Sequence, residues 1–387
     1  MKKLLFVCYG LGIGGIEKCL VNLINVLPED KFDIDVLLMN PEYDSKPQVK
    51  REVTYLDSYK YVMNTTDTMR EINEHGGIAR NPIKTLSYCA FRGIVKLRLF
   101  GAWKVFRPLK KEYDIAVAYS QNDYSPYYVI DKVKARRKVL WYHNGAYEKT
   151  AKAYERDKKY YPQFDYVVAV STDCAKVLDE KFHFEKGKLI VLRNICDIES
   201  IVNQAEAFVP ESYRNEKIHI ATVGRLTKEK GADLAVDGCK RLIDDGCSIN
   251  WHWIGDGNQR EIINDSISNN NLKSVFILEG NQSNPYPFIN YCDIFVQPSY
   301  YEAYSTTITE AKVLKKPIVT TDVGGMRDQI EDGINGFIVP VEADCLAEKV
   351  RLLIDKTSVR RQFSNELENN NIDNERALSE YYQTVFR

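Results

Sequence analysis

A chain of 387 residues is too long for one comfortable core, so two domains facing each other across a cleft are expected. With 44% hydrophobic and 28% charged residues and a net charge of −1, the composition excludes a disordered or fibrous protein and a general nucleic-acid binder. The nine cysteines are scattered and never spaced as CxxC, which excludes a disulfide framework and a zinc site and fits a reducing cytoplasm.

The chain opens with Lys2 and Lys3 ahead of the apolar run Leu4 to Cys8. That run stops at Gly10 without a cleavage-like site and is read as a first strand, not as a targeting segment. No apolar stretch approaches the roughly 20 residues of a membrane span. Short β-rich runs then alternate with amphipathic segments, the pattern of a parallel sheet with crossover helices. Strands are expected over residues 3–9, 34–39, 115–119, 138–142, 166–170 and 189–192. Between the first strand and a helix over 16–27 lies Gly10-Leu-Gly-Ile-Gly14-Gly15, whose backbone N–H groups could approach an anionic or hydroxyl-rich ligand at a helix N-terminus. Its spacing also fits a dinucleotide fingerprint, which requires an acid at the end of the second strand; Leu38-Met39-Asn40 stands there, with Glu42 late and Asp33 and Asp35 early.

From Arg80 to Lys111 the chain carries nine cations and no Asp or Glu, interleaved with Leu86, Phe91, Ile94, Leu97, Phe100 and Trp103. Such a segment either rests on anionic lipid or buries its apolar residues in the first domain and solvates its lysines. Trp141-Tyr-His143-Asn-Gly145 ends a strand, where open α/β sheets bind ligands; a neutral His143 could bond a substrate hydroxyl or simply cap the sheet. The polar segment 197–215, with Pro210 near its end, reads as a linker.

The second half repeats the theme, with strands expected over 218–223, 250–254, 275–278, 294–297, 318–320 and 337–339, then helices over 344–355, 358–369 and 377–386. After its first strand comes Val223-Gly224-Arg225-Leu-Thr-Lys-Glu-Lys230-Gly231, two cations where phosphates could dock, or a solvated charged loop. After Ile294 to Gln297 comes Ser299-Tyr-Tyr-Glu302-Ala-Tyr-Ser305-Thr306-Thr-Ile-Thr-Glu310. If Ser305 or Thr306 caps the helix bearing Ile308, Ala311 and Leu314, its free N–H groups suit a phosphate. Glu302 and Glu310 then flank that site, and a carboxylate can accept hydrogen bonds from two vicinal hydroxyls.

Arg225 with Lys230, Glu302 with Glu310, and the following Lys316-Pro-Ile-Val-Thr-Thr-Asp-Val-Gly-Gly325 together resemble the family 4 retaining glycosyltransferases of the GT-B fold. The resemblance implies an α/β protein of two Rossmann-like domains facing across a cleft. They are an acceptor-binding domain over 1–197, a nucleotide-sugar-binding domain over 198–370, and a C-terminal helix over 371–387 returning to the first. It implies that Glu302 contacts the donor sugar and Glu310 the ribose, and that Arg225 and Lys230 neutralise the diphosphate beside Gly224. Ser305 and Thr306 supply amides to that charge, Gly14 and Gly15 lie against the phosphates and acceptor, and His143 approaches the donor sugar. His143, Arg225, Lys230 and Glu302 are the expected catalytic set. Departures occur at Glu302-Ala-Tyr304 for the family's Glu-Gly-Phe, at Arg193-Asn-Ile-Cys-Asp197 for Pro-Asn-Gly-Val-Asp, and at Asn144 for Asp; they leave the donor open.

The implied chemistry is front-face transfer in which the leaving diphosphate takes the acceptor's proton, so stabilising that charge is the main task. Glu302 is the alternative, as a covalent nucleophile. No cofactor is expected, the nucleotide sugar being a co-substrate, and without a DxD pair at a strand end no metal is called for. A UDP-linked donor and a glycan or lipid-linked acceptor in capsule or surface polysaccharide synthesis are the expected partners. A phosphorylase, a nucleotide-sugar epimerase or a non-catalytic glycan- or membrane-binding module on the same scaffold are the competing readings, and a nucleotide-dependent thermal shift separates the phosphorylase.

Overall fold

The computed structural model of the chain describes residues 1–12, 14–39, 49–56, 102–121, 124–370 and 372–387. Its first unit contains β1 (Lys2–Cys8), α1 (Gly15–Val26), β2 (Phe32–Leu38), β3 (Thr54–Tyr55), β4 (Glu112–Ala118), α2 (Ser125–Lys132), β5 (Lys134–Tyr142), α3 (Ala151–Tyr160), β6 (Tyr166–Ala169), α4 (Thr172–Phe182) and β7 (Leu189–Val191). The strands lie in the order β3-β2-β1-β4-β5-β6-β7, every pair parallel. Leu4, Leu5, Phe6 and Val7 are all buried because both faces of a parallel sheet are covered. The strand period of two sends Leu4 and Phe6 into one core and Leu5 and Val7 into the other.

The second unit contains α5 (Ile198–Ala205), β8 (Ile218–Val223), α6 (Ala232–Asp244), β9 (Ile249–Ile254), α7 (Arg260–Asn269), β10 (Phe276–Gly280), α8 (Tyr286–Tyr291), β11 (Ile294–Gln297), α9 (Thr306–Val313), β12 (Ile318–Thr321) and β13 (Gly336–Val339), followed by α10 (Ala343–Asp355), α11 (Thr357–Asn369) and α12 (Asn374–Gln383). Its sheet is again all parallel, in the order β10-β9-β8-β11-β12-β13.

Three expectations need correction. The expected linker over 197–215 holds α5, capped by Asp197, whose carboxylate accepts from Ser200 N at 3.0 Å. Its polar letters hide a helical stripe of Ile198, Ile201 and Ala205 that packs with Tyr213 and Phe288 into the second unit's core. β5 begins at Lys134 rather than 138, because Lys134 and Arg136 at its exposed end face Glu112 and Asp114 on the adjacent β4. The final helix runs from Asn374, capped by Asp373, and stops at Gln383; Phe386 N then turns back to Tyr381 O at 2.9 Å. Tyr381, Val385 and Phe386 close on Trp141 and Phe32 in the first unit's core.

Of the basic run 80–111, residues 80–101 lie outside the described residues. In the remainder Trp103, Phe106 and Leu109 are buried, Lys104 bonds Asp131 at 2.6 Å, and Lys111 bonds Asp35. No helix among the described residues is long and apolar enough to cross a membrane.

Candidate functional site

In an open parallel sheet a crevice opens at the carboxyl ends of the strands where the order reverses. Those points fall between β1 and β4 in the first unit and between β8 and β11 in the second. The chain leaves β1 through the glycine loop, β8 through Gly224 to Lys230, and β11 through Pro298 to Ser305, so three of the four sequence candidates arise at switch points. His143 follows β5, the next strand over.

The loops are locked by backbone approaches that only glycine allows. Gly231 has φ +69°, and a Cβ there would overlap the Pro298 carbonyl; Tyr300 N also donates to Glu229 O at 2.9 Å. Gly324 has φ +49° and lies against the Glu302 carbonyl, so the loop carrying Glu302 is pressed from behind.

α9 starts at Thr306, with Ser305 Oγ accepting from Ile308 N at 3.3 Å. Gln329 holds Ser305 from both sides: Ser305 N donates to its Oε1 at 2.8 Å, and its Nε2 donates to Ser305 O at 2.8 Å. α1 starts at Gly15, with Gly14 as an extended cap lacking a side-chain bond. A Cβ on Gly15 would lie 3.8 Å from Thr306 Oγ1, so the two helix starts face each other across the boundary between the units. Each carries unpaired N–H groups and the positive end of a helix dipole. Together they could hold an anion, with the Glu17 carboxylate beside Gly14 at the edge of that space.

Glu302, 8% exposed, lies beside that site. Its Oε1 accepts from Lys230 Nζ and from Ser299 Oγ, the latter at 3.2 Å, and Ser299 Oγ accepts from Gln297 Nε2 at 2.8 Å. Thr307 Oγ1 donates to Gln297 Oε1 at 2.8 Å, tying this chain of bonds to the first turn of α9. Gly224 packs against the Lys230 stem, its added Cβ 3.7 Å from Lys230 Cδ. Arg225 is the most open member: its guanidinium reaches Glu229 at 3.3 Å and its side chain is 72% exposed.

Glu310 lies one turn into α9 and is buried. Its Oε1 accepts from Lys18 Nζ, on α1 of the first unit, at 2.5 Å, while Oε2 is buried with no partner. Lys18 also sits 4.7 Å from the Tyr286 ring centre. Burial pulls the Lys18 pKa down, but the Glu310 charge and hydrogen bond overcome it, and the ammonium is held above its ordinary range.

His143 is 8% exposed, its ring 4.9 Å from that of Tyr119, and its Nε2 has no partner. Burial pushes its pKa down to about 3 against a backbone bond from Tyr119 that favours the charged form, so the imidazole is neutral at any physiological pH. Two residues on, Gly145 abuts the Glu302 carbonyl, its added Cβ 2.8 Å away, and Ala146 N donates to Tyr301 Oη. A pocket of about 30 Å³ remains at the first switch point, lined by Tyr9, Gly10, Glu17, Tyr119 and Ser120 among others.

The structure thus gathers Gly14, Gly15, Gly224, Lys230, Glu302, Ser305 and Thr306, sets Glu310 one turn behind them and leaves Arg225 at the edge. Sequence reasoning missed Lys18, Gln297, Ser299 and Gln329. Lys18 stands three residues past Gly15 on the same helix, and Gln297 is a polar end to an apolar strand; both were readable signals, whereas Gln329 gave none. A dinucleotide site finds no support among the described residues: Met39 is buried after β2, and Asp35 is buried and bonded to Tyr113 Oη at 2.6 Å; Glu42 lies outside the described residues. No cluster of three or more His, Cys, Asp or Glu among the described residues has metal-holding geometry.

Two doubly wound sheets with their ligand-side loops turned toward each other, and a tail helix returned to the first, define the GT-B architecture. The chain matches the model for Glycosyltransferase Family 4 over residues 13–200 and that for Glycosyl transferases group 1 over residues 203–370. It belongs to this glycosyltransferase family. Anabaena HepE in complex with UDP and glucose superposes with a TM-score of 0.72 at 16% identity, over 99% of both chains. Staphylococcus aureus TarM, as a mutant in complex with Fondaparinux, alpha-GlcNAc-glycerol and UDP, gives 0.71 at 14% identity, over 99% of both chains. By sequence, the capsular polysaccharide biosynthesis glycosyltransferase CapM of Staphylococcus aureus is 30% identical over 38% of this chain and 39% of its own length. A Campylobacter jejuni N-acetylgalactosamine-N,N'-diacetylbacillosaminyl-diphospho-undecaprenol 4-alpha-N-acetylgalactosaminyltransferase is 25% identical over 53% of this chain and 55% of its own length. The chain thus spans about half or less of the length of these curated relatives.

Proposed function

We propose that this chain transfers a sugar, with retention, from a nucleoside diphosphate donor, UDP-linked, to a glycan or lipid-linked acceptor in capsule or surface polysaccharide synthesis. One observation carries the reading: the starts of α1 and α9 face each other at Gly15 and Thr306, with Lys230 beside them. A diphosphate placed there meets two helix dipoles and a fixed ammonium, and Arg225 has room to swing in from the edge. The choice of UDP is supported by the UDP in the HepE and TarM complexes, and that of acceptor by the names of CapM and the undecaprenol-linked transferase.

In the proposed step the bond from the anomeric carbon to the phosphate oxygen breaks while the acceptor oxygen attacks that carbon on the same face. The acceptor's proton passes to the departing phosphate oxygen, and Lys230 and the α9 amides stabilise the charge that develops there, without a divalent metal. Glu302 and His143 read the sugar hydroxyls. A covalent role for Glu302 is disfavoured because Lys230 and Ser299 already occupy its Oε1, which makes it a poorer nucleophile. Peripheral contact with anionic lipid at the inner membrane face belongs to the same proposal and is supported by Arg80, Lys84, Arg92, Lys96 and Arg98 in the acid-free run, whereas Lys104 and Lys111 further along it are paired with Asp131 and Asp35; absence of co-sedimentation with anionic liposomes at low salt would remove it.

A panel of sugar nucleotides scored by nucleotide release, alone and then with lipid-linked and glycan acceptors, tests the function. Acceptor-stimulated release with one donor is expected; no release with any donor and acceptor pair contradicts it.

A further inference from the structure

Away from the cleft, the second unit holds two histidines and an acid in one chain of contacts. His252 on β9 and His219 on β8 are buried, and Nε2 of His252 lies 3.0 Å from Nδ1 of His219. His252 Nδ1 lies 2.8 Å from Glu279 Oε1 on the edge strand β10, and Ser212 Oγ donates to the same oxygen at 2.6 Å. At the other end His219 Nε2 faces the Asn215 carbonyl at 3.5 Å. Ser212 and Asn215 belong to the short link between α5 and β8. Tyr213 between them stacks on His219, ring centres 4.5 Å apart, and donates through Oη to Phe288 O at 3.0 Å.

An ionised carboxylate and a carbonyl are both acceptors, so a chain running between them needs a donor at each end. Burial opposes the Glu279 charge, but the bonds from His252 and Ser212 outweigh it and hold this carboxyl below its ordinary range. Two neutral rings bring two N–H groups to three contacts, so one contact sets acceptor against acceptor. One added proton makes three N–H groups for three contacts. A second would set donor against donor between adjacent cations, and burial, then His252, already lower the His219 pKa. Asp293, which accepts from His219 N at 2.9 Å, favours charge on that ring, while Lys217, held by Asn250 Oδ1 at 3.3 Å, opposes it. Burial keeps Tyr213 and Cys292 neutral.

We propose that Glu279, His252 and His219 form a proton-operated brace, in which one proton shared by the two rings completes the bonds that fasten residues 212–215 to the edge strand, and its loss loosens that link. The proton comes from solvent past Glu279, whose side chain is 14% exposed. Tyr213 shares a core with Ile308 and Ala311 of α9, so the state of the brace bears on the helix that opens the candidate site. The proposal stands apart from the choice of donor and acceptor.

Hydrogen exchange of the full chain at about pH 8.5 and about pH 6, corrected for intrinsic rates and read by mass spectrometry over residues 211–217, tests this. The Tyr213 and Arg214 amides there bond Pro210 O and Glu211 O. In the wild type, protection of the segment should be about fivefold higher at the lower pH, the worth of one buried hydrogen bond. Glu279→Gln supplies an amide that donates to His252 Nδ1, which reverses the chain and satisfies it with two neutral rings. Its protection should therefore change by less than about twofold between the two pH values and exceed that of the wild type at the higher one. A Glu279 that merely packs would leave the variant less protected at both pH values with the wild-type pH dependence intact. That result, or wild-type protection that does not rise as pH falls, overturns the proposal. Should the variant not fold, nitrogen-15 spectra of the wild type with labelled histidine decide. The pair should carry hydrogen on three of its four ring nitrogens at about pH 6 and on two at about pH 8.5, and an unchanged count overturns the proposal.

Discussion

Glu302 carries a charge into a nearly closed space, and Lys230 is what makes that tolerable. Replacing Lys230 by Met leaves the carboxylate without its counter-ion. It should cost roughly 1–3 kcal/mol in urea unfolding, a loss largely recovered in the double variant with Glu302→Gln. The same Lys230→Met change should lower kcat about 10²-fold or more, because the leaving diphosphate loses its fixed cation; unchanged turnover would remove Lys230 from the site. His143 gives a pH signature. Its pKa falls from 6.5 when unfolded to about 3 in the buried site, so between those values the unfolded chain holds more protons and stability drops as pH falls. His219, lowered by its burial and by His252, acts in the same sense, so the measure is the difference between wild type and His143→Gln. The variant's stability should decline less between pH 6.5 and 4; parallel curves would place His143 in a more solvated setting. At this scale the sequence named Lys230, Glu302 and Glu310 but not their pairings, and it passed over Lys18. Lys18 and Glu310 are 292 positions apart, and Lys230 and Glu302 are 72 apart; only the packing of loops from different strands brings them together.

α9 is short, and its first turn matters more than its length. Ser305 caps it, Gln329 clamps the cap, and Thr307 joins it through Gln297 and Ser299 to Glu302. Ser305→Ala should cost about 1 kcal/mol in thermal unfolding and raise the donor KM, since the free amides of the turn lose their fixed direction; an unchanged KM would detach the cap from donor binding. Elements with a strong apolar run were legible: β8 and β11 fall where the residues placed them, because strands buried on both faces leave little choice of letters. α5 was not, since Glu199, Asn203 and Gln204 on its open side outweigh the narrow stripe it buries. The two-residue β3 has no run of its own and exists only through its register with Asp35 and Val36.

Across the whole molecule the two units are joined at several independent places. Thr172 donates through N and Oγ1 to Asp328 at 2.6 and 2.5 Å, Ala303 enters the first unit's core, and the tail after α12 packs beside Trp141. Deleting residues 373–387 removes Tyr381, Val385 and Phe386 from that core, at roughly 1.5–3 kcal/mol each, and should leave the first unit too weak to give a cooperative melt. A truncated chain that melts like the whole would show the tail to be dispensable. The doubled α/β pattern made the two-sheet plan visible in the sequence, and the aromatic tail hinted at its return, but the closure of one unit on the other is written in no local pattern. That closure brings Gly15 to Thr306 and Lys18 to Glu310. Its direct test is a crystal structure of the chain with UDP. The diphosphate should lie between the starts of α1 and α9, within hydrogen-bonding distance of the Thr306 amide and of Lys230 Nζ; a nucleotide seated elsewhere, with those groups still bonded only to protein, would contradict it.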